Sequence, residues 1–267
     1  MIKSNFHTHT IFCDGKDTPE EMVQTAIEKG FEILGFSCHS YFYPDREYTT
    51  NSETEPLYRK AVAELKEKYK GKIEIFCGIE QDYYSEPAIG YDYIIGSVHN
   101  VYKDGEYLTV DASPEPFMNN LNLHYDGDYD AFAEDYFGIV ADVVNKTDCD
   151  IIGHFDLVQK NSEKNGFGQS QRFLSAAEKA VKALIPFGKP FEINTGALAR
   201  KTRTIPYPSP EILKMIKDYG GKIVFSSDCH DRNYLDCNFA EIEKMAKDLG
   251  FTEHGIITKN GIEYIKI

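Results

Sequence analysis

No stretch of the 267-residue chain approaches the ~20 apolar residues that a membrane-spanning helix needs, so none is expected. The opening MIKSNFHTHT lacks the apolar core of a leader peptide, and its first candidate metal ligand is already residue 7. The expectation is a cytoplasmic protein from which no leader is removed. Positive charge is also scarce: 29 Lys and Arg stand against 43 Asp and Glu, a net charge of −14. Lys and Arg are what grip a phosphate backbone, so this balance argues against nucleic acid as a partner. A small phosphorylated molecule is not excluded, because bound divalent ions reverse the sign of a site locally. The six cysteines contain no C-x-x-C pair and are expected to be reduced. Cys13, Cys38 and Cys229 neighbour candidate ligands and read as small buried hydrophobes rather than redox groups.

What remains is an ordinary globular composition, 42% hydrophobic and 27% charged. Strand and helix signals alternate along the whole chain. Apolar runs at 2–7, 33–37, 73–78, 93–98, 151–154, 191–194 and 223–226 read as parallel strands covered on both faces. Helices fill the gaps. Thr18-Pro19-Glu20-Glu21 supplies an N-cap, a first-turn proline and a capping-box glutamate, with Gly30 as the stop. Ser209-Pro210-Glu211 repeats that start and Gly220 ends it. Further helices are expected near 55–69, 131–146, 171–187 and 239–249. Segments 100–129 and 159–169 break the rhythm and read as polar loops that shape a pocket. With no linker and no repeat, residues 1–267 are taken as one α/β domain.

Nine candidate metal ligands punctuate this pattern: His7, His9, Asp14, His39, Glu80, His99, His154, Asp228 and His230. Six of the eight histidines are among them, and nearly every one sits where a strand is expected to end. In His7-Thr8-His9 and Asp228-Cys229-His230 the i, i+2 spacing turns both side chains of an extended segment the same way. Glycines shortly before Glu80, His99 and His154 would let neighbouring backbone approach. Side chains from six strand ends can meet only if the sheet curls round, which favours a barrel over an open sheet, with the site on its C-terminal face. Such a ligand set suits a multinuclear hydrolytic metal centre.

These motifs resemble the PHP family, the polymerase and histidinol phosphatase metal-dependent hydrolases, over residues 7 to 230. More narrowly the chain is similar to the stand-alone histidinol-phosphatase members, through Gly153-His154-Phe155-Asp156-Leu157-Val158, Glu192-Ile193-Asn194-Thr195 and Tyr207-Pro208-Ser209. The resemblance implies a distorted (β/α)7 TIM-like barrel and three divalent ions, with Zn, Mn, Fe and Co all acceptable to the donor set. It implies a first ion held by His7, His9, Glu80 and Asp228. Glu80 would bridge to a second held by His99 and His154, and Asp14, His39 and His230 would hold the third. It also implies hydrolysis of L-histidinol phosphate by a bridging hydroxide, without a covalent phospho-enzyme. Glu80, Asp228 and His230 are the expected catalytic groups, with Asp228 or a metal-bound water as the acid for the leaving alkoxide. Three ions outweigh three ligand carboxylates and leave a positive cradle for a phosphate dianion. Lys160 and Arg200 fall where the family's phosphate-binding cations lie, although Gln159-Lys160 replaces the expected Arg-Lys and the segment before Arg200 looks shifted by a residue. Asp45, Glu115, Tyr41 and Tyr43 are the loop residues available to read an amine and an imidazole. Two other readings compete: a phosphoesterase of the same family acting on nucleotides or oligonucleotides, and a non-catalytic metal-binding regulator.

Overall fold

The computed structural model describes residues 2–267. Largely buried runs form β1 (Ser4–Asn5), β2 (Ile33–Phe36), β3 (Glu74–Asp82) and β4 (Tyr93–Ser97). After a hairpin of β5 (Asn100–Lys103) and β6 (Glu106–Thr109) come β7 (Ile151–Ile152), β8 (Phe191–Asn194) and β9 (Ile223–Ser226). The sheet order is β1-β2-β3-β4-β7-β8-β9, and every neighbouring pair is parallel. All seven C-terminal ends therefore open on one face.

The first and last strands approach each other at a seam. The His9 N–H donates to the Cys229 carbonyl at 3.0 Å, and Thr8 and Cys229 form an isolated parallel bridge. Below this, Asn5 acts as a backbone substitute. Its Nδ2 donates to Ser227 Oγ at 2.6 Å, and its Oδ1 accepts the Ser227 N–H at 3.2 Å. The result is the nearly closed barrel expected from the sequence.

Strand lengths follow from partners. β3 runs past its expected end at residue 78 because it serves two neighbours in turn: Glu74 to Cys77 pair with β2, then Gly78 to Asp82 with β4. Glu80 is therefore inside a strand rather than at its end. β1 shrinks to two residues because side chains do much of its pairing toward β9.

The capping box at the first helix (Pro19–Glu28) forms as expected. Thr18 Oγ1 accepts the Glu21 N–H at 3.2 Å, and the Glu21 carboxylate accepts the Thr18 N–H at 2.9 Å. The Pro210–Asp218 helix starts at Ser209 as expected, but the Ser209 hydroxyl accepts from Gln169 Nε2 at 2.7 Å instead of capping. The helix expected over 131–146 is two, Tyr129–Val140 and Val143–Thr147.

Segment 100–129 is not a loop. It holds the β5–β6 hairpin and the Pro114–Tyr125 helix. Asp104-Gly105, with φ of 53° and 90°, makes the two-residue turn whose mirror-image twist suits a hairpin. Its buried residues Val101, Leu108, Val110, Phe117 and Leu121 are diluted by exposed polar neighbours, which hides the periodicity. Segment 159–169 likewise contains short helical turns at Leu157–Asn161 and Ser162–Asn165. A terminal hairpin, β10 (Glu253–Thr258) with β11 (Gly261–Lys266), was not expected. Its Ile257 joins Phe6, Phe76, Tyr93, Ile95, Ile151 and Val224 in an inner core.

Tyr93 shows what two of the glycines are for. A Cβ at Gly35 or at Gly78 would lie 2.3 Å from Tyr93 side-chain atoms. The Tyr93 hydroxyl donates to the Phe6 carbonyl at 2.5 Å and lies 2.9 Å from that of Phe36. At Gly78, Gly96 and Gly153 the space is taken mainly by side chains rather than by backbone, contrary to the sequence reading.

Candidate metal centre

The polar interior begins where the inner core ends. His7, His9, Glu80, His154 and Asp228 are buried, and Asp14, His39, His99 and His230 are half-buried. All nine converge, and Glu80 is the hub. Its Oε2 lies 2.8 Å from His39 Nδ1, 3.1 Å from His7 Nε2 and 3.5 Å from His9 Nε2. Its Oε1 lies 2.8 Å from His154 Nε2 and 3.2 Å from His99 Nε2. Asp228 Oδ1 is 3.2 Å from His9 Nε2 and 3.7 Å from His7 Nε2. Asp14 Oδ2 is 3.0 Å from His230 Nε2, and its Oδ1 is 3.7 Å from both His9 Nδ1 and His39 Nε2.

Three overlapping groups bring one donor atom per residue within 4.8 Å of one another: His9, Asp14, His39 and His230; His7, His9 and Glu80; and His39, Glu80 and His99. The expected third set is intact in the first group, with His9 added.

The donor atoms fit ions on independent grounds. His7 Nε2, His9 Nε2, Asp14 Oδ1 and Glu80 Oε2 are buried and have no hydrogen-bond partner among the described residues. An orphaned buried polar atom costs about 1–3 kcal/mol, more when charged, and a ligated ion removes that penalty. Electrostatics agree. Burial alone would lower the histidine pKa values, but Glu192, Glu80 and Asp228 outweigh it and hold His7 well above the ordinary range. For His39 the Glu80 and Asp14 charges overcome burial and raise it to about 9. Burial opposes ionisation of Glu80 and Asp228, yet the histidines around Glu80, and Arg200 with His7 beside Asp228, hold both carboxyls well below their usual range. The site is built to keep positive charge, as protons or as metal.

A supporting layer fixes the rings. Glu192 Oε1 sits 2.6 Å from His7 Nδ1, and its Oε2 accepts the His154 N–H at 2.8 Å and Asn194 Nδ2 at 2.9 Å. Asp82 Oδ2 lies 3.1 Å from His99 Nδ1. Carboxylates behind ligand histidines set ring orientation and basicity. The sequence reading assigned neither residue. The available signal was acid in otherwise apolar strands: Glu192 lies in β8, whose four residues are all buried.

Cys38 and Cys229 are buried and all six cysteines are free. Burial pushes the Cys229 thiol up to about 12, which suits an inert hydrophobe.

Two adjoining cavities open onto this cluster. The larger, about 440 Å³, is lined by His39, Glu80 and His99 together with Phe42, Asp45 and Tyr48. The smaller, about 300 Å³, reaches Asp228, His230, Arg200 and Tyr234. Lys160 lines both. Its Nζ donates to the carbonyl of Asp111 at 2.6 Å and to the carboxylate of the same residue. Arg200 Nη2 donates to Asp228 Oδ2 at 3.0 Å. Both expected cations are thus at the cleft. Of the four loop residues expected to help, Asp45 lines a cavity, while Tyr41, Tyr43 and Glu115 are exposed.

Comparison with known proteins agrees with this geometry. A histidinol-phosphatase of Bacillus subtilis is 26% identical over 86% of this chain and 94% of its own length. A Schizosaccharomyces pombe protein designated a probable histidinol-phosphatase is 25% identical over 97% of this chain and 90% of its own. The crystal structure of histidinol phosphate phosphatase from Lactococcus lactis, complexed with zinc, L-histidinol and phosphate, shares the fold. Its TM-score is 0.73 at 23% identity, covering 98% of both chains. The PHP domain model matches residues 5–196, spanning most of the strand ends that carry the cluster, and the chain belongs to the PHP domain family.

Proposed function

We propose that the chain is a metal-dependent phosphomonoesterase that hydrolyses L-histidinol phosphate to L-histidinol and phosphate, in histidine biosynthesis in the cytoplasm. One observation carries the reading most: eight ligand-type side chains gather around Glu80 while Arg200 and Lys160 face the same cleft. The names of the two curated relatives and the ligands of the Lactococcus lactis protein point to the same substrate. The complete ligand set favours this over a non-catalytic regulator. The whole chain would act as one domain.

Three divalent ions are assigned. His7, His9, Glu80 and Asp228 would hold one, Glu80, His99 and His154 a second, and Asp14, His39 and His230 a third. When bound, such ions lower the pKa of a water and absorb charge on the phosphoryl group. The chain's own residues do the rest. Arg200 offers a planar donor pair to phosphate oxygens, and Lys160 a point charge. Binding phosphate at Arg200 draws the guanidinium from Asp228 Oδ2. That leaves a carboxylate oxygen free to take the proton of the attacking water and return it to the leaving alkoxide. Glu192 and Asp82 hold the His7 and His99 rings in place meanwhile.

The test is phosphate release by protein reconstituted with Zn, Mn, Fe or Co. Substrates are L-histidinol phosphate, p-nitrophenyl phosphate and a nucleoside monophosphate. The expected result is kcat/KM of ~10⁴ M⁻¹s⁻¹ or more on histidinol phosphate, well above the others. Preference for the nucleotide would overturn the substrate assignment.

A further inference from the structure

The larger cavity is lined by five carboxylates, and four have their charge engaged. Asp14 and Glu80 belong to the candidate ligand groups, Asp82 faces His99, and Asp111 pairs with Lys160. Asp45 is different. Its Oδ2 accepts a hydrogen bond from the neutral amide of Asn100 at 2.8 Å, and among the described residues no cation pairs with it. The amide carries no charge of its own to set against the aspartate.

Its position is fixed from two directions. Asn100 follows His99 directly and is buried, so the carboxylate is tied to the chain beside one candidate ligand. The loop carrying Asp45 folds back through Thr50, whose N–H and hydroxyl both donate to the His39 carbonyl, at 3.0 and 2.7 Å. Asp45 is thereby held beside the ends of β2 and β4, in the wall it shares with His39 and His99. Phe42 and Tyr48 add an aromatic flank in the same wall.

We propose that Asp45 is a specificity residue that binds the ammonium group of the substrate. This rests on the histidinol phosphate reading. In that ester the ammonium lies on the carbon next to the methylene that bears the ester oxygen. A phosphate held between Arg200 and Lys160 would direct the ammonium into the adjoining larger cavity, where Asp45 supplies the lining carboxylate that no cation among the described residues matches. A charge-assisted hydrogen bond of this kind discriminates by about 10- to 100-fold.

The experiment compares kcat/KM for L-histidinol phosphate with that for its desamino analogue, imidazolylpropyl phosphate, in metal-loaded wild type and Asp45→Asn. The asparagine keeps the shape and removes the charge. The wild type is expected to prefer the aminated ester, and the variant to lose about 10- to 100-fold of that preference ratio. An unaltered ratio overturns the proposal, even if both rates fall, because general damage lowers both alike. If the wild type hydrolyses histidinol phosphate efficiently with no preference for the ammonium, the role of Asp45 fails alone. If the wild type does not hydrolyse it, the substrate reading fails too.

Discussion

Residue by residue, much of the centre is legible in the sequence, because metal-ligand chemistry selects few side chains and strand ends put them in one place. His7, His39, His99 and His154 each follow an apolar run, so position and type coincide. Glu192 and Asp82 were not assigned because their task, holding another side chain, leaves no spacing rule. Their importance is testable. Glu192→Gln removes the charge behind His7, and metal affinity is expected to fall about 10- to 100-fold, read by competition with a chelator. Unchanged affinity would remove Glu192 from the centre. Gly196 makes a second case. A Cβ there would stand 2.6 Å from Arg200 Nη2 and 2.7 Å from Asp228 Oδ2. Gly196→Ala should push the guanidinium aside and raise KM for the phosphoester by about tenfold or more, with metal content retained. A normal KM would show that Arg200 does not hold the phosphate.

At the level of elements, the parallel strands were readable because burial on both faces makes the runs that hold them mostly apolar. The β5–β6 hairpin and the Pro114–Tyr125 helix were not, since their apolar residues are sparse and their burial depends on neighbours far along the chain. The Asp104-Gly105 turn was a local signal left unused. Tyr93 is the element-scale device that sequence alone cannot reveal: one hydroxyl on β4 contacts the carbonyls of Phe6 and Phe36, near the ends of β1 and β2. Tyr93→Phe deprives two buried carbonyls of that partner. Chemical denaturation should register a loss of about 1–3 kcal/mol, and no loss would mean that water or a shifted strand replaces the contact.

Taken whole, the molecule carries more acids than bases, and several of its carboxylates, Glu80, Glu192 and Asp228 among them, are buried. Without ions the centre depends on protons. The folded pKa of His39, about 9, lies above its ordinary 6.5. Its contribution to stability is therefore fully present below about pH 6.5 and lost as pH rises through 9. Glu80 and Asp228 act in the opposite sense, since their lowered pKa values stabilise above the usual carboxylate range and fail as pH falls. Metal-free protein should accordingly melt at lower temperature at pH 9 than at pH 6.5. Adding ions should raise Tm in proportion to the logarithm of their concentration, more strongly at the higher pH, where fewer protons need be expelled. Equal metal-induced shifts at both pH values would refute this linkage.

The Asn5–Ser227 seam has a temporal meaning. His7 and His9 lie just beyond one side of it, Asp228 and His230 just beyond the other, so the donors around Glu80 come from opposite ends of synthesis. A chain emerging from the ribosome carries the early histidines long before the late Asp228-Cys229-His230 exists. Until the ninth strand docks against the first, those histidines can offer an ion only an incomplete grip. An ion tightly held by all of these donors would thus be a record that translation ran past residue 230 and that the barrel closed.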